Sequence, residues 1–339
     1  MKFRISAIAL TMAAQLVAPP AWAAETVADF YKDRKIDFIV GSEAGAAYDI
    51  WTRLIGRHYG KYIPGNPTFV VRNMPGAGHV VAANYLYGQA ARDGSVVAMI
   101  SRDLPNQQLR GNPAVKFKME EFNWIGSPQS SNRVCVAYAG VKVQTARDLF
   151  VHELLIAGSG AAVSATPNLL HGLLGMKFKV VEGYPSTAAA FLAIERGEAE
   201  GICQNLAGTE AVRPGWLAAG RLKVLFNLER ERLRGIDAPS IYEFTKTDEQ
   251  RRIVAFFNSS VELGWPVLTV PGVAPDRIDA LRRAFQETMK DPAFLEEAKK
   301  LQFDIDPVGG EALATVTREI VATPQAIVDK TASLAGLPN

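Results

Sequence analysis

The sequence predicts an α/β protein of two lobes joined by two crossover segments. Three observations carry that reading. Residues 36–100 alternate strand, helix, strand, helix, strand, and residues 154–204 repeat the rhythm. Two Gly- and Pro-punctuated extended stretches, 124–140 and 263–271, stand where the chain would pass between the repeats. The helical segments after residue 275 have no three-strand sheet of their own, so they are expected to pack back on the first lobe. The divisions expected are a leader at 1–23, lobe one at 24–127, lobe two at 128–263, and a return to lobe one at 264–339.

The elements follow in order. Residues 36–40 (IDFIV) are a short apolar run that stops at Gly41. Ile50, Trp51, Leu54, Ile55 and Tyr59 recur at helical spacing, and Pro64, Gly65 and Pro67 end that helix. Residues 69–71 form a second strand, 80–91 a helix with Ala82, Ala83, Leu86 and Ala90 on one face, and 95–100 (SVVAMI) a third strand. In the link, 134–138 reads as extended. The second repeat has strands at 154–157, 178–181 and 201–204 and a fourth at 222–226. Its first helix carries Leu169, Leu170, Leu173 and Leu174, with Gly175 as cap; its second spans 188–196, with Gly197 at the C′ position. Near the C-terminus, Ile278, Leu281 and Phe285, then Phe294 and Leu295, then Leu313, Val316 and Ile320 mark three helices, and Pro324 interrupts the last pattern.

The first residues have the layout of an export signal. Lys2 and Arg4 precede an apolar run from Ile5 to Val17, and Ala21-Trp22-Ala23 is a small-x-small cleavage site. That run is shorter than the roughly 20 apolar residues of a membrane span. Cleavage is therefore expected after Ala23, placing the protein in the periplasm. Without Lys2 and Arg4, the 37 basic residues fall to the number of acidic ones, 35. No basic run with aromatics is present, so nucleic acid is not an expected partner. Four single histidines and two cysteines offer no metal-ligand spacing, and no cofactor motif occurs.

Ligands of open α/β sheets bind beyond the carboxyl ends of the strands. Each repeat has a loop of small residues there. The first is Gly41, Ser42, Glu43, Ala44, Gly45, Ala46 and Ala47, leading to Tyr48 and Asp49; the second begins Gly158, Ser159, Gly160, Ala161 and runs to Thr166. Small side chains let main-chain N–H groups approach a ligand, and a helix start favours an anion. Further candidates are Ser101 and Arg102 after the third strand, Tyr184, Ser186 and Thr187 after the second strand of the repeat, and Gln204. Arg102 suits a carboxylate. Ser186 and Thr187 also suit helix capping. The loop at 73–78 (NMPGAG) reads as a structural turn.

Taken together, these residues resemble the solute receptors of tripartite tricarboxylate transporters, the Bug family. The most specific part runs from 36–49 through the N-x-P-G-A-G at 73–78 to Arg92-Asp93-Gly94; Gly158-Ser159-Gly160, the Gly197-Glu198 turn and 270–275 (VPGVAP) match later landmarks of the family. The resemblance implies a fold like the type II periplasmic binding proteins and a small organic carboxylate as ligand. The ligand would be held largely by main-chain amides from 41–49, 158–166 and 184–187. It also implies membrane permease subunits as partners; the receptor itself is expected to be a monomer. Two departures stand out, Glu43 in the first loop and the Glu182-Gly183-Tyr184 turn; a carboxylate beside an anion pocket is unfavourable unless it turns away or meets a donor. The implied fold also sets the strand of Cys135 beside that of Cys203. A disulfide and a pair of buried thiols are both compatible with export.

Two rival functions are weighed against this. An exported hydrolase needs a nucleophile, a base and an orienter, and no G-x-S-x-G elbow is present. A periplasmic sensor would share the fold and differ only in partner.

Overall fold

The computed structural model describes residues 25–129, 132–159 and 161–337; the expected leader and its cleavage point at Ala23 lie outside these residues. After α1 (Val27–Tyr31) comes β1 (Lys35–Val40), in which Ile36, Phe38, Ile39 and Val40 are all buried. A strand covered on both faces needs apolar residues at successive positions, not alternate ones. Phe38, Val97 and Met99 accordingly pack with Trp51, Leu54 and Phe285, while Ile39 and Ala98 pack on the other face with Ala83, Leu86 and Leu313.

The first repeat continues through α2 (Ala47–Tyr59), β2 (Thr68–Asn73), α3 (Val80–Gly88), β3 (Val96–Met99), α4 (Leu104–Leu109) and β4 (Asn123–Ser127). β1 lies parallel between β2 and β3. The chain then enters a second sheet through β5 (Arg133–Tyr138), followed by β6 (Leu154–Ala157), α5 (Ala161–Leu174), β7 (Phe178–Val181), α6 (Thr187–Glu195), β8 (Gly201–Asn205), α7 (Leu206–Val212) and β9 (Leu222–Asn227). The strand order there is β7-β6-β8-β5-β9, with β5 antiparallel to both neighbours.

The return begins with α8 (Asp248–Glu262) and re-enters the first sheet at β10 (Val267–Thr269). It ends with α9 (Pro275–Thr288), α10 (Pro292–Lys300), β11 (Val308–Gly309), α11 (Gly310–Val321) and α12 (Gln325–Ala335). β10 inserts antiparallel between β3 and β4, giving the order β11-β4-β10-β3-β1-β2. Each sheet therefore has parallel βαβ units flanked by an antiparallel strand brought in by a crossover. No helix of the described residues is long and apolar enough to cross a membrane.

Besides the short α1, α4 and α7, which the sequence pattern does not mark, two longer helices depart from the expected arrangement. α8 is absent from the sequence-level reading, although Thr247 and Gln250 form a capping box at its start and Ile253, Val254 and Val261 are buried at helical spacing. α12 does not return to the first lobe. Pro324 takes its N-cap position, and its Ile327 and Ala335 pack with Ala165 and Leu169 of α5 and Ile253 of α8. A proline N-terminal to a helix redirects the chain without costing a helical hydrogen bond. α9, α10 and α11 do lie against the first sheet and its helices.

Cys135 and Cys203 sit directly opposite each other on β5 and β8, both buried, and are bonded. The bridge spans a sequence separation of 68 residues, which contains β6, α5, β7 and α6. A loop of that length carries about 4 kcal/mol of closure entropy in the unfolded chain. Replacing both cysteines with alanine should therefore lower unfolding free energy by roughly 2–4 kcal/mol in urea titration. Equal stability of the variant and the oxidised protein would contradict a structural bridge.

Candidate ligand cleft

The loop 41–46 carries the chain from β1 into α2. Ala46 occupies the N-cap position and offers no side-chain acceptor. The first-turn N–H groups are thus left for something other than a cap, and the helix dipole favours an anion there. Asp49 holds the loop from beneath and is 2% exposed. Its Oδ2 accepts from Gly45 N–H at 2.8 Å and Arg53 Nε at 2.9 Å, and its Oδ1 accepts from Asn73 Nδ2 at 2.9 Å. Asn73 Nδ2 also donates to Ser42 O at 3.0 Å. Burial pushes the Asp49 carboxyl up, but the hydrogen bonds from Arg53, Gly45 and Asn73 outweigh it and hold the group below the usual carboxylate range. Both oxygens are engaged inside the protein. Asp49, expected among the ligand contacts, instead organises the loop that would make them.

An aromatic group supports the loop from the side. The Tyr48 ring meets His79 at 4.6 Å and Trp265 at 4.7 Å between centroids, both edge-on. The Tyr48 hydroxyl accepts from Arg102 N–H at 3.2 Å. His79 lies so close to Gly41 that a Cβ there would fall 2.3 Å from its Nδ1. Ala77 and His79 both take positive φ, 45° and 76°, as do Gly76 and Gly78, the glycines that precede each of them. Non-glycine residues rarely adopt that region, and such strain gathers at functional loops. The segment read as a plain turn is therefore a wall of the first loop, through Asn73 and His79. Ser101 has a local role: its Oγ accepts from Asp103 N–H at 3.2 Å at the start of α4.

The second loop starts where β6 ends. Gly158 N–H donates to Val181 O at 2.8 Å, and its carbonyl accepts from Tyr184 N–H at 3.3 Å. This joins the two expected segments of the second lobe. A Cβ on Gly158 would meet Glu182 Oε2 at 2.5 Å and Ser164 Oγ at 2.8 Å. The Ser164 and Thr166 hydroxyls are buried and have no hydrogen-bond partner among the described residues. Ser159 is half-buried, Gly160 lies outside the described residues, and Ala161 opens α5. Ser186 Oγ accepts from Ala189 N–H at 3.2 Å and so caps α6. Tyr184 and Thr187 are half-buried beside it. Gln204 Nε2 donates to Thr209 Oγ1 at 3.0 Å. In the first loop Glu43, Ala44 and Gly45 are exposed and Ser42 and Ala46 half-buried; the Glu43 carboxylate has no partner among the described residues.

Arg133 was not anticipated. It opens β5 opposite Asn205 of β8, and its main-chain N–H donates to Glu229 Oε1 at 3.3 Å. Its guanidinium lies 4.9 Å from the centroid of the Phe257 ring. Burial, then repulsion from Arg102, pull its pKa down to about 10 against the attraction of Glu229. Burial also raises Glu229, which weakens it as a counter-ion. Arg102 follows β3 of the first sheet and Arg133 begins β5 of the second. Two guanidinium groups that repel across the lobes are a natural place for an anion. No spacing in the sequence signals this pair, because the crossover alone brings residue 133 beside residue 102.

Two α/β lobes, two crossovers and small-residue loops at the strand ends define a two-lobed solute-binding protein. Residues 65–332 match the model of the tripartite tricarboxylate transporter family receptor, and the chain belongs to that family. A curated relative, the UPF0065 protein in gbd 5'region of Cupriavidus necator, is 24% identical over 96% of this chain and 95% of its own. Among solved structures, a TctC solute binding protein from Polaromonas superposes with a TM-score of 0.69 at 20% identity, covering 88% of this chain and 99% of that one. MatC from Rhodopseudomonas palustris with bound malate gives a TM-score of 0.47 at 17% identity, covering 88% and 99%.

The Asp49 network generates a pH-dependent expectation. A carboxyl whose pKa is lowered by folding contributes stability above its unfolded value, about 3.9, and that stability is lost as pH falls through the folded value. Asp49→Asn should cost about 1–3 kcal/mol at pH 7, since it leaves buried donors unpaired. The difference from the native chain should shrink below pH 4. Urea titrations at pH 7 and pH 3 check both; an equal deficit at the two pH values would contradict the ionic role.

Proposed function

We propose that this chain captures a small organic carboxylate between its lobes in the periplasm and delivers it to the membrane permease subunits of a tripartite tricarboxylate transporter. The observation that carries the ligand class is the pair Arg102 and Arg133, one from each lobe, beside a helix start with no side-chain cap. A carboxylate there would relieve the repulsion and accept main-chain N–H groups at the same time. Ser42, Ala44, Gly45 and Ala46 would supply contacts from the first lobe. Gly158, Ser159, Gly160, Ala161, Tyr184 and Thr187 would supply them from the second. Two crossovers suit hinge closure around such a ligand. In this reading the protein acts as a monomer, is exported with cleavage after Ala23, and releases its ligand unchanged.

A melting-temperature screen of mono-, di- and aromatic carboxylates tests the proposal. A binding acid at 100 times its Kd adds roughly 2.7 kcal/mol of stability and raises Tm accordingly. Arg102→Gln should reduce that rise for every acid that binds. A rise with a sugar or a cation and with no acid would overturn the ligand class.

A further inference from the structure

Where the two lobes and the return path meet, a cavity of about 460 Å³ opens beside Arg133. That volume lies within the range of small-molecule sites. Four elements enclose it: α4 supplies Asn106, α5 supplies Ala165, α8 supplies Phe256 and Phe257, and α12 supplies Val328 and Ala332. The cavity exists because α12 crosses to the second lobe rather than returning to the first.

Its walls are unequal in character. Phe256, Phe257, Ala165, Val328 and Ala332 make one part apolar. The other part is polar and incompletely satisfied. Among the described residues the Arg133 guanidinium has no hydrogen-bond or ion-pair partner, and it rests on the Phe257 ring at 4.9 Å. Asn106 is 7% exposed; its Nδ2 donates to Asp103 Oδ1 at 3.3 Å, and its Oδ1 has no donor among the described residues. A buried acceptor left unpaired is costly, and a hydroxyl on a ligand is one way to satisfy it. Arg133, the second-lobe member of the arginine pair, lines the cavity itself, and Asp103, which follows Arg102 in the chain, is also at the wall.

We propose that this cavity receives the apolar body of a monocarboxylic acid carrying a hydroxyl group, with the acid on Arg133 and the hydroxyl toward Asn106. This rests on the carboxylate reading above and sharpens it. A short dicarboxylate has no apolar body to fill the space against Phe256 and Val328. A compact aromatic hydroxy acid has one, and its ring can pack beside Phe257.

Calorimetry with 4-hydroxybenzoate and with succinate on the full mature chain tests this. The native protein should bind 4-hydroxybenzoate at least tenfold more tightly than succinate. Arg133→Gln should weaken 4-hydroxybenzoate binding tenfold or more, with Arg133→Lys between the two. Ala332→Leu narrows the cavity without touching Arg133; it should weaken 4-hydroxybenzoate by a similar factor and leave succinate as it was. Melting curves without ligand establish that each variant folds. Succinate binding without 4-hydroxybenzoate binding, or an Ala332→Leu protein that binds 4-hydroxybenzoate as well as the native chain, overturns the cavity proposal and leaves the receptor reading standing. If no carboxylate binds the native chain, both fall.

Discussion

The contact between the two crossover segments constrains the rest of the molecule. Ser127 Oγ, at the end of β4, donates to Gln129 O at 2.8 Å and accepts from Trp265 N–H at 2.8 Å. Gly264 stands at a φ of 61°, and Gln129 O occupies the space, 1.9 Å away, where a Cβ would be. No side chain fits between the strands at that point. The two crossover segments are therefore tied together at this point, an arrangement that suits hinge closure of the lobes. Trp265 continues from this line onto Tyr48, so the crossover and the first loop share one packed surface.

Electrostatics in the cleft follow from which charges are already answered. Asp49 is neutralised by Arg53 and two neutral donors, all local to the first lobe. Arg133 is answered only in part, because the carboxylate that attracts it, Glu229, is itself raised by burial. The floor between the lobes thus keeps a positive bias. Glu43 and Glu182 are exposed, one beside each small-residue loop. Their charge disfavours an anion that spreads negative charge to the rim and tolerates one that concentrates it at the floor.

Much of the fold was legible because local rules and tertiary demands agree. β6 and β7 occupy 154–157 and 178–181, the spans read from the sequence, since Gly158 ends one sharply and Gly175 precedes the other. α8 is masked in the sequence because its first residues, 248–252, are mostly charged and hide the apolar face that follows; only its capping box marks the start. Among the site residues, the small-residue loops were legible as places where a backbone can approach a ligand. The role of Asp49 was not. A carboxyl three residues into a helix looks the same in sequence whether it faces a ligand or reaches back to Gly45, and only the position of Asn73 on the neighbouring strand decides.

By itself the sequence determined the lobes, their parallel βαβ units, the loops at the strand ends and the family likeness. Each of these rests on periodicity, glycine placement or short motifs, which are properties of neighbouring residues. Only the tertiary structure decided that Arg133 stands near Arg102, that Cys135 and Cys203 are bonded, and that α12 closes a cavity over Phe257. These depend on contacts between residues far apart in the chain, set by how the crossovers route it, and no local pattern encodes such distances.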